Sequence, residues 1–429
     1  MATEHRSFDQ TSEDTGDEGK RSDAEFAARQ IAPDEQLDHL SMLLRAARTI
    51  ARSHRVELYS RASVRTRVCL SSLDEPPVVH IGFEDGLAAR VVHVGERRQG
   101  FAACAGIGEG ALRWVLEHAL RSSHTSDSTG WAEGTGGVLL DREPTLRLAP
   151  PARLSAWLDA ALAVAVAAGV HIRSAWVEVA VTAESLAADG GLLASRGRSR
   201  AWALAMADER PRVLGAPTLD ALDGNGWFRP DGELPTECGG CFPSVGGPVL
   251  FLPEAAASLV PALVRALHGQ AVGRPVVIGP GWRVADDPLE PRSLFGGFFD
   301  DAGFPAKREL LWDGRTAVER IEGAGHLRRG SYRDPPSPMA TSLVVEGGGG
   351  DPPERCILVE DVRLHPLDPR TWVLEANGQV SGGAAPFRGA LVQVNPLDLP
   401  RCCGAALGEP RWFPKGVVTP ALLFEGLRG

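Results

Sequence analysis

The chain has 429 residues, 45 of them Lys or Arg against 55 Asp or Glu, and a formal net charge of −10. At 43% hydrophobic and 23% charged it has the composition of a globular protein with chain enough for two or three domains. The acidic balance argues against a general nucleic-acid binder, and none of its three lysines (Lys20, Lys307, Lys415) is followed by Ser or Thr, which excludes a phosphate-binding G-x-x-x-x-G-K-[ST] loop and the kinase-like and ATPase readings with it.

In chain order, residues 1–36 carry ten acidic and four basic side chains and read as a disordered acidic tail without a secretory signal. Residues 34–53 place Leu37, Leu40, Leu43, Leu44, Ala47 and Ile50 at helical spacing behind Pro33. Short β-type runs follow at 56–59, 67–71, 78–83, 88–94 and 100–104. Asp74-Glu75-Pro76-Pro77 and Glu84-Asp85-Gly86 are read as turns between them. A helix is expected over 110–122, a Gly- and Ser-rich linker over 123–137, a helix over 152–168 and strands over 172–182 and 199–207. The apolar stretch 154–170 contains Asp159 and falls short of the ~20 apolar residues of a membrane span, so it reads as a buried helix. A loop-rich passage over 211–248 marks the domain boundary and 253–267 is a helix. The Gly- and Pro-dense remainder has the texture of an irregular β-barrel or sandwich. The expected class is α+β, with a mixed N-terminal α/β domain over 37–225 and a β-rich domain over 226–429 that contains a helix at 252–268.

The local motifs favour structure over chemistry. Gly106-Ile107-Gly108-Glu109-Gly110-Ala111 matches G-x-G-x-x-A, but no strand ending in an acidic residue follows to hold a ribose, so a strand-to-helix turn is favoured. The seven cysteines (69, 104, 238, 241, 356, 402, 403) are an odd, scattered set that suits reduced thiols in a cytoplasm. Cys238-Gly239-Gly240-Cys241 with Cys402-Cys403 lacks the spacing of a structural zinc site, and buried or loop thiols are favoured. The pairs Asp286-Asp287 and Asp300-Asp301 are read as solvated turn residues rather than a cation site, and the arginines of 196–200 and 328–333 as a solvated face. No H-E-x-x-H, H-x-H or G-x-S-x-G occurs.

Taken together, several segments resemble the TldD/PmbA family, the modulators of DNA gyrase of metallopeptidase type. Gly86-Leu87-Ala88-Ala89-Arg90-Val91 and Gly100-Phe101-Ala102 resemble the G-x-x-x-R-V and G-F-A strands. The segment 299–305 resembles a D-D-E-G-x-P turn with Ala302 at the glutamate, and 325–333 resembles G-x-x-R-R-x-S-Y. Residues 338–343 resemble P-R-M-T-N-L, and Glu375-Ala376-Asn377-Gly378 resembles an I-E-N-G hairpin turn.

The resemblance implies a zinc-bearing subunit type with a helical H-E-x-x-x-H and a later cysteine, and a second type that lacks the metal. Here the helix falls on Pro253, Glu254 and Ser258, so both histidine positions are lost, and the C-G-K stretch corresponds to 412–416, which has no cysteine. The chain therefore resembles the TldE (PmbA) side of the family. That implies no catalytic residue and no metal of its own, and a TldD-like partner that carries zinc. It also implies a shared cavity for a peptide or small amide and a specialised role such as antibiotic biosynthesis, while composition, hydropathy and cysteine usage point to a cytoplasmic setting without membrane or nucleic acid. His326, Arg328, Arg329 and Tyr332 form the expected substrate-contact set. Two alternatives stay open: a hydrolase with a relocated metal site built from Glu254, His326 and Cys402 or Cys403, and a binding or regulatory scaffold without a hydrolytic partner.

Overall fold

The structure is a computed structural model that describes residues 33–72, 75–93, 95–96, 98–125, 137–142, 148–207, 210–224, 247–270, 283–290, 293, 296–312, 327–329, 332–335, 337–338, 342–347, 351–368, 371–381, 387–396, 399–413 and 416–425. Most of the acidic tail, the linker from 126 to 136, Cys238, Cys241 and His326 lie outside the described residues.

Eight strands form the first sheet: β1 (Arg55–Leu70), β2 (Val78–His93), β3 (Arg98–Ala105), β4 (His124–Thr125), β5 (Gly137–Arg142), β6 (Ile172–Ala188), β7 (Leu192–Ala207) and β8 (Arg210–Ala216). Their order is β4-β3-β2-β1-β6-β7-β5, with β8 paired to the second half of β7. Three helices, α1 (Pro33–Ile50), α2 (Glu109–Arg121) and α3 (Pro151–Ala167), bury their apolar stripes on this sheet. Leu40, Leu44, Leu112 and Leu116 meet Val56, Leu58 and Val91, while Leu154 and Leu158 meet Val68 and Val177. All these sheet residues share one face, since β1 and β2 alternate strictly in register. The opposite face is left for the second half of the chain.

That half is a second, nine-stranded sheet. It comprises β9 (Val249–Phe251), β10 (Arg283–Asp286), β11 (Glu309–Trp312), β14 (Leu343–Glu346), β15 (Ile357–Asp368), β16 (Thr371–Val380), β17 (Phe387–Val394), β18 (Cys403–Phe413) and β19 (Val417–Phe424). The order β11-β10-β14-β19-β9-β15-β16-β17 leaves β11 and β17 at the two ends, with β18 on β19. A two-stranded ribbon, β12 (Leu327–Arg328) and β13 (Ser337–Pro338), stands apart. Helix α4 (Pro253–Gln270) lies across β15 and β19, and a short α5 (Leu399–Cys402) leads into β18.

The α+β class holds, and no closed barrel is found: among the described residues the second sheet is open, with β9 wedged parallel to β15 and antiparallel to β19. Two expected turns are mid-strand. Glu84-Asp85-Gly86 lies inside β2, which runs unbroken against β1 from 78 to 92. Residues 375–378 lie inside β16 at paired register shifts rather than at a hairpin tip; there Asn377 Oδ1 accepts the Gly389 N–H at 2.9 Å.

Candidate functional site

Two places gather the residues singled out by the sequence. The first is the start of α4. Strand β9 delivers the chain to Pro253 at the first helical position, where a missing N–H costs nothing. Ala255, Ala256, Leu259, Val260 and Leu263 then turn into the core of the second sheet. Glu254 is left exposed and ion-paired to Arg411 of β18 at 3.2 Å. Pro253 and Ser258 are half-buried and carry no imidazole. Cys402 is half-buried and packed against the same core, and Cys403 opens β18 opposite Phe424. Among the described residues no three His, Cys, Asp or Glu side chains cluster to hold a metal ion. A zinc ion of the kind the resemblance associates with this helix therefore does not fit these residues.

The second place is the free face of the first sheet, where the two halves meet. One line of register runs across its strands through Gly86, Arg61, Glu184, Arg196 and Asp141, and a neighbouring one through Arg90 and Glu57. Onto these the segment between β10 and β14 lowers Phe299, Asp301, Arg329 and Tyr332. Arg196 bonds both Glu184 and Asp301. The second Asp301 oxygen accepts the Arg329 backbone N–H at 2.6 Å. The Arg329 guanidinium donates to Glu57 at 2.8 Å and to the Asp334 carbonyl at 2.9 Å, and lies 4.6 Å over the Tyr59 ring. Tyr332 is fully buried against the strip left bare by Gly86, where a Cβ would come within 2.2 Å of its ring.

Glu184 and Arg196 are held in their ionised forms. Burial would raise the Glu184 carboxyl, but Arg196, Arg61 and Arg198 hold it far below the usual carboxylate range. Burial would lower the Arg196 guanidinium, yet Asp301 and Glu184 raise it well above its ordinary value. The Tyr59 phenol is pushed well up, first by burial and then by Glu184 and Asp301, so it stays neutral.

The readings of these residues as solvated are corrected here. Asp286, Asp300, Asp301, Arg196, Arg198 and Arg329 are all buried. Asp300 and Asp286 are drawn in by backbone donors: Asp300 accepts the Ala302 and Phe304 N–H groups, both at 2.9 Å, and Asp286 that of Ser342 at 2.8 Å. Asp301, Arg196 and Arg329 are drawn in by one another. Of the expected substrate-contact set, Arg329 and Tyr332 come together at this junction with their side chains enclosed, and Arg328 is placed by its backbone in β12. Of the residues that complete the junction, Glu57 fell in an expected strand without further signal, Glu184 lay just past the expected strand 172–182, and Gly86 was read as part of a turn and of the G-x-x-x-R-V segment. Beside it a cavity of about 200 Å³ opens between the halves, lined by Asp141, Arg198, Ser199, Glu290 and Phe298. Arg198 and Asp141 face each other there at 3.6 Å, and the Phe298 N–H donates to Asp141 at 3.1 Å.

No protein-family model matches the chain, and no curated protein matches its sequence. Solved structures do match. TldE from Thermococcus kodakarensis superposes with a TM-score of 0.74 at 16% identity, over 91% of this chain and 99% of that one. A candidate modulator of a DNA gyrase from Thermotoga maritima gives 0.68 at 16% identity, over 90% and 98%. Another from Bacteroides thetaiotaomicron gives 0.63 at 15% identity, over 90% and 98%. Over about nine-tenths of its length, the chain has the fold of TldE and of the candidate modulators of DNA gyrase, the TldD/PmbA-type fold.

Proposed function

We propose that the chain is a non-catalytic, TldE-like subunit of a heteromeric TldD/TldE-type zinc metallopeptidase, and that it shapes the cavity in which a TldD-like partner hydrolyses a peptide or small amide. The observation that carries this reading is the start of α4: Pro253 and Ser258 stand at the two positions that would need histidine, and the one carboxylate retained, Glu254, is engaged by Arg411. A shared fold with a protein named TldE supports the choice of subunit type. A substrate taken as an extended strand suits a β-rich subunit, whose backbone groups can pair with it. A specialised role such as natural-product processing is in keeping with how far the sequence has drifted from the family's motifs.

The test is metal analysis of the purified chain, alone and co-expressed with its H-E-x-x-x-H homologue. The chain alone is expected to be metal-free and the co-purified complex to carry zinc in its partner, with Glu254→Ala leaving hydrolysis by the complex within about twofold of the wild type. Stoichiometric zinc in the isolated chain overturns the reading and favours a relocated metal site.

A further inference from the structure

Strand β7 has a notch in its outer edge. β5 runs beside it only as far as Gly197, and β8 joins it only from Ala201 on, so among the described residues no strand pairs with 198–200 on that side. The second half of the chain roofs the notch with residues from Pro288 to Phe298, and the cavity of about 200 Å³ lies between strand and roof. The roof comes down on two glycines. A Cβ at Gly296 would run into the Pro288 carbonyl oxygen, and one at Gly297 into the Arg198 guanidinium and the Asp141 carboxylate. The Gly297 N–H donates to the Pro288 carbonyl at 2.7 Å, which holds the roof in this shape. Two opposite charges stand side by side in the wall beneath it. The Arg198 and Asp141 side chains are largely buried, and Arg198 Nη2 lies 3.6 Å from Asp141 Oδ2, too far for a hydrogen bond. Oδ2 accepts the Phe298 N–H, whereas Oδ1 has no partner among the described residues and stays open to solvent. Glu290 adds a second carboxylate to the lining, and Pro217, Pro288 and Leu289 supply its apolar part.

We propose that this cavity binds a free α-amino acid as its zwitterion, with the ammonium on Asp141 Oδ1, the carboxylate on the Arg198 guanidinium and a small side chain against the prolines. The arrangement of charge is the first reason. A ligand of one sign meets repulsion from either Arg198 or the carboxylates beside it, whereas a zwitterion is matched at both ends. Spacing is the second. The wall charges are 3.6 Å apart, which suits a molecule with one carbon between its own charges and not a longer amino acid or a dipeptide. Size is the third: about 200 Å³ is the room of about seven waters, enough for alanine or serine and too little for a peptide. None of these residues belongs to the start of α4, so the inference goes beyond the metallopeptidase reading and stands without it.

The test is titration calorimetry of the full-length chain with L-alanine as the probe. One site per chain is expected, with a Kd below about 1 mM. Alaninamide lacks the carboxylate, N-acetylalanine lacks the ammonium, and 4-aminobutyrate holds its charges further apart. Each is expected to bind about tenfold more weakly than alanine, or worse. Asp141→Asn keeps an acceptor for the Phe298 N–H but removes the charge, and is expected to weaken alanine binding to the same degree. Should that variant fail to fold, Leu289→Trp, at an exposed position in the lining, serves as the second by filling the cavity. A wild type that takes up no alanine overturns the inference. Binding indifferent to Asp141→Asn or to Leu289→Trp does the same, as does equal binding of any of the three analogues. Alanyl-alanine bound as tightly as alanine also overturns it, and assigns the cavity to the ends of peptides.

Discussion

Gly86 sits in the middle of a strand, where glycine is otherwise a poor choice, and Tyr332 explains it: the ring occupies the volume a Cβ would need. Gly86→Ala forces the ring or the strand to move, and a loss of about 1–3 kcal/mol is expected in denaturant unfolding. An unchanged midpoint would show that Tyr332 is not seated there. Glu184 supports a different expectation. Its carboxyl is held down in the folded protein, so the stability it contributes is complete above the ordinary carboxylate range near 4.5 and is lost as pH falls below it. Glu184→Gln should lower the stability at neutral pH by about 3 kcal/mol, because Arg196 and Arg61 lose a buried counter-charge. The gap to the wild type should narrow as the pH is brought toward about 3 in a series of melting curves. A gap that stays constant with pH would mean that Glu184 does not carry the charge in question.

At the scale of elements, the turn from Phe299 to Pro305 depends on one carboxylate. Asp300 accepts two backbone N–H groups, and its own N–H bonds the Phe304 carbonyl at 2.9 Å, which closes the loop that presents Asp301. Asp300→Ala leaves both donors without that acceptor, at about 1–3 kcal/mol each, and thermal melting should show the loss. The helices were legible in the sequence because each buries a stripe repeating every three or four residues, and α1 to α4 fall within a few residues of expectation. The strands were legible as strands but not in length. Glu84-Asp85-Gly86 has turn chemistry, and what keeps β2 extended through it is its pairing with β1 and the docking of Tyr332 from nearly 250 positions away. The junction was hidden in a similar way: Asp301 and Arg196 look solvated in isolation, since they pair with each other across 105 positions. The reading of α4 rests on three residues within one helical stretch, and the helix itself forms where the sequence placed it.

At the scale of the molecule, the two sheets are tied by the buried charges more than by a shared apolar core. Val249 and Phe251 belong to one core cluster and Leu40 and Leu58 to another, and among the described residues only the small cluster with Tyr59, Phe299 and Tyr332 spans the halves. Arg329 is central to that join, with its side chain almost fully enclosed. Arg329→Ala leaves Glu57 buried without its closest cation and should cost about 3–5 kcal/mol. In calorimetry it should also split one unfolding transition into two, as the halves begin to melt independently. A single transition at an unchanged temperature would show that the join lies elsewhere. Glu254→Ala, at an exposed pair, should change stability by less than about 1 kcal/mol.

The junction also bears on how the chain is made. The strands that carry Glu57, Glu184 and Arg196 leave the ribosome before Asp301 and Arg329 have been translated. For the roughly 120 residues between the end of β8 and Tyr332, on the order of ten seconds at about 5–20 residues per second, the first sheet is complete in sequence yet has one face of bare charge and exposed tyrosine. A nascent chain halted in that interval should be a client for chaperones, and the two halves are poor candidates for exchange between genes as separate modules.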